Sequence, residues 1–436
     1  MLTHKKSLVV AWLICGLGAL FYAYEYLLRI TPSVMELALR QHFSLSATGF
    51  GFLSASYYYA YVPMQLPVGL LMDRFGPRRL LTLACFICVV GTWMFAATTL
   101  ISLASAGRFL VGFGSAFAFV GVLKLATIWL PEDKLGMVAG MASALGTIGA
   151  MLGDNMLGCM VHEIGWQQTV NYTALFGLVL IVVLWFGIHD RKSRMDVDGG
   201  TVNTFRRAFL DLKIIAVNKQ IWLNGMYGCL VYLPTTVIAE LWGIPYLRHA
   251  HQLSASSAEI VNSCLFMGFM IGAPTMGFIS DQLKRRKLPM FVGALSAAVV
   301  MMIILYVPGL TENNLRVLMF VLGLFYSVQA LVFAVGRELS PQEAGGTAIA
   351  MTNMLVMIGA MFLQPVIGRL LDWSYRQHLT DNMVRLLDVD HVRELYTPHD
   401  YQFALSIIPV GIVIAAILTF FLKETHAHAA RNPHQS

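Results

Sequence analysis

The chain has 436 residues, of which 57% are hydrophobic and only 12% charged, about half the charged share of an ordinary soluble domain. That much apolar surface excludes a water-exposed globular fold, so the excess must face lipid. The net charge of +6 reflects loop placement about a membrane and gives no reason to expect a nucleic-acid partner.

In chain order, twelve apolar runs reach the roughly 20 residues that a helix needs to cross a bilayer: 8–30, 48–72, 80–99, 101–129, 137–161, 169–188, 221–247, 258–280, 288–308, 315–338, 345–370 and 402–422. Lipid offers backbone groups no partner outside the segment, so each run is expected to be a helix. Lys5 and Lys6 precede the first run as in a secretory signal. Its apolar stretch is too long, however, and no small-residue cleavage site interrupts it before Glu25, so it reads as an uncleaved first helix. With the N-terminus placed in the cytoplasm, the cytoplasmic segments hold 20 Lys and Arg and the outer loops 7. That bias supports twelve spans with both termini inside. A multi-pass protein of a bacterial inner membrane, monomeric, is the expectation.

All six cysteines fall inside the runs. "CFIC" (85–88) has redox-motif spacing without a soluble redox context, so buried free thiols are expected. The histidines do not pair with carboxylates at metal-ligand spacing, and no nucleotide loop or nucleophile elbow is found. No metal, cofactor or enzymatic activity is expected.

The two halves resemble each other at a nearly constant offset. "GLLMDRFGPRR" (69–79) ends run 2 and "GFISDQLKRRK" (277–287) ends run 8, 208 residues on. "FSLS" and "LSAS", "PED" and "PQE", "TIGAML" and "MIGAMF" repeat at 210. The offset spans six helices, so both copies share one orientation and form parallel repeats. Residues 1–188 and 221–436 are the expected halves, joined by a charged, Gly-containing cytoplasmic linker at 189–220. Two such halves could rock about a central site.

"GLLMDRFGPRR" resembles the loop signature between helices 2 and 3 of the major facilitator superfamily, and "GRFLVGFGSA" (107–116) resembles its helix-4 pattern of Arg followed by Gly-x-Gly. The resemblance covers essentially the whole chain. It implies an all-α fold of twelve transmembrane helices in two pseudo-symmetric six-helix halves. It also implies a cytoplasmic latch at Gly69, Asp73, Arg74, Gly76, Arg78 and Asp281, with Gly69 admitting a neighbouring helix and Pro77 altering the pattern. Within the superfamily, "YEYLLRITPSVM" and "AELWGIPYL" resemble phagosomal amino-acid transporters of intracellular bacteria. "SASSAEIVNS" and "LGLFYSVQAL" resemble the animal lysosomal dipeptide transporter group.

Ionisable groups inside the runs are costly in lipid and so are functional candidates. Glu25, Asp154, Glu240 and Arg108 are expected in one layer about 10 Å below the outer face, with Arg29 nearer the surface and Lys124 alone in the inner third. Glu25 and Arg29 could pair at i,i+4, and Arg29 and Lys124 could snorkel. Asp154 needs a partner from another helix or a proton, and the resemblance links Arg108 to binding or proton coupling. Tyr22, Tyr57, Tyr61, Tyr232 and Tyr326 could line a wet cavity. Asn155, Asn353 and Gln364 are amide candidates for the same cavity, inter-helix hydrogen bonding being the alternative. "GTIGAMLG" (146–153) lacks the Gly-Pro pair of many antiporters and favours tight packing, which argues against a drug exporter.

A layer carrying both signs suits a zwitterion, or else forms an outer gate of salt bridges. The reading is a secondary transporter moving a small polar solute, amino acid or short peptide, by alternating access, with H+ as candidate coupling ion. An exporter of a siderophore or drug-like compound is the alternative. A polytopic enzyme or receptor would need a catalytic cluster or appended domain that the sequence lacks.

Overall fold

The computed structural model describes residues 2–131, 134–189, 210–341, 344–381 and 396–426. Most of the expected linker, and the ends of the "PED" and "PQE" repeats, lie outside the described residues. Among the described residues there is no β-strand, and twelve long helices form the bundle. These are α1 (Leu2–Val34), α2 (Ala47–Phe75), α3 (Pro77–Ala97), α4 (Ile101–Trp129), α5 (Met137–Ile164), α6 (Trp166–Gly187), α7 (Lys219–Ala250), α8 (Ala255–Leu283), α9 (Lys287–Tyr306), α10 (Glu312–Glu338), α11 (Gly345–Asp381) and α12 (Pro398–Leu418).

Eleven of the twelve are long and apolar enough to cross a membrane. The exception is α2, whose length suffices but whose sequence carries Ser54, Tyr57, Tyr58, Tyr61 and Gln65. All five of these side chains are buried, so the helix turns its polarity toward protein. Phe186, Trp93, Phe278 and Phe420 stand outward, as a lipid-facing surface requires.

The repeats recur as local structure. Ser46 caps α2 by accepting from the Gly49 N–H, and Ser254 caps α8 by accepting from the Ser257 N–H, which places the "FSLS" and "LSAS" motifs at equivalent helix starts. At the other ends, Gly76 closes α2 at φ +80° and Lys284 closes α8 at φ +49°. Pro77 then opens α3, where a missing N–H is harmless. Packing repeats too: α1 lies on α5, α2 on α4 and α3 on α6, just as α7 lies on α11, α8 on α10 and α9 on α12.

The halves meet along α2–α11, α5–α8 and α1–α7. A cavity of about 710 Å³ opens between them toward the end that carries the basic loops, lined in part by Gln65, Gly69, Asp73, Phe119, Thr347 and Asn353. At the opposite end the halves are closed against each other.

Candidate functional site

Three helices are irregular where they carry buried charge. A π segment spans Gly153–Leu157 in α5, around Asp154, and another spans Pro234–Trp242 in α7, around Glu240. α1 has Pro32 one turn beyond Arg29. Such interruptions re-aim side chains and free backbone groups for other partners.

Glu25, Arg29 and Glu240 come together between the cavity and the closed end, all at most 2% exposed. Arg29 donates through Nη2 to Glu25 and through Nε to the Tyr57 hydroxyl at 3.2 Å, and the Tyr57 hydroxyl donates onward to Glu25 Oε1 at 2.9 Å. Across the halves, Arg29 Nη1 lies 3.6 Å from Glu240 Oε1, and the Tyr58 hydroxyl donates to Glu240 Oε2. The guanidinium sits over the rings of Tyr26 and Tyr61, at 4.4 and 4.9 Å. The i,i+4 pairing of Glu25 with Arg29 holds, but Arg29 does not snorkel: it is caged by aromatic faces and satisfied from both halves. Tyr57 and Tyr61 build that cage rather than a wet wall. Tyr22 packs edge-on against Tyr26, whose hydroxyl meets that of Tyr232 at 3.1 Å across the halves. The Tyr326 hydroxyl accepts from Thr235 Oγ1 at 2.7 Å, away from the cavity lining.

Arg108 is 3% exposed and faces no carboxylate of the described residues at ion-pair distance. It donates through Nη1 to the Leu28 carbonyl at 2.8 Å and through Nη2 to the Arg29 carbonyl at 3.2 Å, beside the Tyr57 ring at 5.3 Å. Its root is fixed one turn on, where the α4 and α2 backbones touch: a Cβ on Gly112 would stand 1.9 Å from the Tyr57 carbonyl oxygen.

Asp154 is fully buried at the α5–α8 seam. Its Oδ2 accepts from Asn262 Nδ2 at 2.8 Å, and Oδ1 has no partner. Asn155 donates to Ser263 Oγ at 2.7 Å in the same seam. Of the expected cavity amides only Asn353 lines the cavity, where it donates to Gln65 Oε1 at 2.8 Å. Gln364 instead donates to the Thr236 carbonyl at 2.8 Å and is buried among helices. The expectation of tight packing for "GTIGAMLG" holds, since Gly149 lies against the Ala23 backbone of α1.

At the basic end, Lys124 is not alone: its Nζ meets Asp73 Oδ1 at 2.6 Å. Sequence distance between α2 and α4 hid that pair. Gly69 is not approached by a neighbouring helix, because a Cβ there would meet nothing within 4 Å and the position borders the cavity. The Arg74 guanidinium lies over the Phe75 ring, and Arg78 Nε donates to the Trp185 carbonyl at 2.9 Å. In the second copy, Arg286 joins Asp281 and Glu338, each at 2.7 Å.

Sequence reasoning missed Gln65, Asn262, Asp372 and Glu259. Gln65, an amide in an apolar run, carried a readable signal. The carboxylates near helix ends look like ordinary interface charges until their partners across the seam are known.

A sequence profile of the Major Facilitator Superfamily matches residues 14–364. The chain belongs to this superfamily. Over 402 residues it is 24% identical to a Bacillus subtilis (strain 168) protein named "Probable galactarate/D-glucarate transporter", covering 83% of this chain and 86% of that one. Over 326 residues it is 26% identical to the "Probable L-galactonate transporter" of Escherichia coli (strain K12), covering 70% and 71%. Among solved structures, a bacterial homolog of the human lysosomal transporter Spinster, inward-facing and unoccupied, superposes with TM-score 0.73 at 16% identity over 97% and 99% of the two chains. A D-xylose-proton symporter superposes with TM-score 0.71 at 15% identity over 97% and 100%. The chain is thus a multi-pass membrane protein and a secondary transporter of this superfamily, not an enzyme. The curated relatives named here carry sugar-acid names, not amino-acid or peptide ones.

Proposed function

We propose that the chain carries a small hydroxylated carboxylate of the sugar-acid class, in symport with a proton, by alternating access across a bacterial inner membrane with its basic loops in the cytoplasm. The observation that carries this reading is Arg29, a buried guanidinium bridging carboxylates of both halves in a dry aromatic cage. A solute carboxylate can take the place of Glu240 on Arg29, because Glu240 Oε1 is the longer contact and accepts no hydrogen bond. Glu25 and Glu240 balance Arg29 and Arg108 in the present arrangement. An incoming solute carboxylate therefore needs one added positive charge, and a proton on Glu240 supplies it while loosening the bridge between halves. The Gln65–Asn353 amide pair, with Gln65 Nε2 unpartnered, offers donors to solute hydroxyls at the cavity wall. The names borne by the relatives support the same solute class. The amino-acid cargo suggested by sequence fits less well, because Glu25 is already held by Arg29 and Tyr57.

The test is uptake of labelled D-glucarate, L-galactonate, an amino acid and a dipeptide into proteoliposomes, with and without an inward proton gradient. Sugar-acid accumulation should rise with the gradient, and Glu240→Gln should abolish accumulation while leaving exchange. Transport of the amino acid or dipeptide alone, or indifference to the gradient, would overturn the reading.

A further inference from the structure

Pro32 lies inside α1 and has no N–H, so the carbonyl four residues back, Leu28, loses its ladder donor. The ring also pushes that turn apart. In lipid such freed carbonyls must find a substitute donor within the protein. Among the described residues, Arg108 of α4 reaches this turn and no other acceptor: one guanidinium nitrogen serves the Leu28 carbonyl at 2.8 Å and the other serves the Arg29 carbonyl at 3.2 Å.

We propose that Arg108 is a positioning residue that stands in for the donor removed by Pro32, and that by fixing the Arg29 backbone it aims the Arg29 side chain at Glu240. The planar fork matches two carbonyls one residue apart, which a single ammonium could not do with the same rigidity. Contact between the Gly112 and Tyr57 backbones holds α4 at the depth this requires. Arg108 thereby acts on α1 rather than on solute, and its effect is independent of cargo.

A double-mutant cycle tests this. Arg108→Met keeps side-chain length and removes every donor, and Pro32→Ala returns the N–H to α1. The first readout is hydrogen exchange of peptides covering residues 24–35 in lipid nanodiscs, which needs no solute. Arg108→Met alone should speed exchange there on the order of ten- to hundredfold, and Pro32→Ala should erase most of that change. The second readout is uptake of whichever sugar acid the wild type carries, which Arg108→Met should depress and the double variant should recover. An Arg108→Met effect of equal size with and without Pro32 would overturn the proposal and return Arg108 to solute or proton. So would failure of Arg108→Met to fold in both backgrounds, since Pro32→Ala restores the missing donor. Recovered exchange with no sugar-acid uptake in any variant would leave the brace standing and sink the cargo reading instead.

Discussion

At the closed end, the α2–α11 and α5–α8 seams are equivalent by the internal repeat yet are built from different chemistry. In the first, Asp372 of α11 accepts from the Ala47 N–H at 3.2 Å and from the Thr48 N–H at 2.9 Å, and also takes the Thr48 and Tyr396 hydroxyls. With Ser46 accepting from Gly49, the free donors of the α2 N-terminus are met by one carboxylate from the other half and one local hydroxyl. At the position of Asp372 in the repeat, 210 residues earlier, α5 carries His162, which faces Glu259 of α8 at 3.3 Å. Here the carboxylate has changed sides and its partner is an imidazole that is half exposed. One seam uses a helix dipole and a set of fixed hydrogen bonds, and the other uses a single side-chain pair with one half-exposed member. Duplication conserved where the halves touch without conserving how.

The largest effect should come from removing the fixed seam. Asp372→Ala orphans the Thr48 N–H and hydroxyl and leaves the Ala47 N–H only the Tyr396 hydroxyl at 3.3 Å, a loss of about 2 kcal/mol that would shift the open-to-closed ratio on the order of thirtyfold. Spin labels at exposed Gln41 and Gln377 report it, with the distance distribution expected to gain a long component. An unchanged distribution would mean that Asp372 merely caps α2 and does not hold the halves together.

With Asp372 gone, the α5–α8 seam governs closure, and a second loss there should add to the first. His162→Ala in the Asp372→Ala background removes the imidazole that meets Glu259 at 3.3 Å across the seam. For a pair with so exposed a member the further change is about 0.5 kcal/mol after solvent screening, roughly twofold in population. Labels at Glu163 and Gln252, both exposed, follow this seam. An unchanged distance distribution would mean that this pair plays no part in holding the halves together.

Both seams escaped sequence reasoning for one physical reason. Lipid dictates where helices begin and how long they run, so the twelve spans and the repeat are legible, and α2 is legible by length and flanking loops despite its tyrosines. A residue and its i+4 neighbour are legible as well, which is why Glu25 with Arg29 could be anticipated. Nothing local says that Arg29 also meets Glu240, that Lys124 meets Asp73, or that Asp372 meets Thr48. Those pairings depend on helix rotation and tilt, set by interdigitation over whole faces. Arg108 was legible as a buried charge, but its acceptors are backbone carbonyls, which a search for opposite charges passes over.

The basic end repeats the contrast with the least at stake. Asp73 and Asp281 are equivalent in the repeat. Asp73, itself half exposed, has one lysine, whereas Asp281 shares Arg286 with Glu338 and with Ser280 Oγ, at 2.7, 2.7 and 2.9 Å. Glu424 reinforces the second site by accepting the Arg286 and Lys287 backbone N–H groups at 2.7 and 3.1 Å, which caps α9. Burial of Glu424 works against its charge, but these backbone donors outweigh it and hold the carboxyl below the usual carboxylate range. Lys124→Ala should therefore change stability by no more than about 0.5 kcal/mol, because water takes over a pair whose Asp73 is 48% exposed. Since α4 and α2 belong to the same half, the closed-end distances should not move. A Lys124→Ala transporter that loses gradient-driven uptake while keeping its thermal stability would give Lys124 a part in the cycle that an exposed ion pair within one half cannot explain.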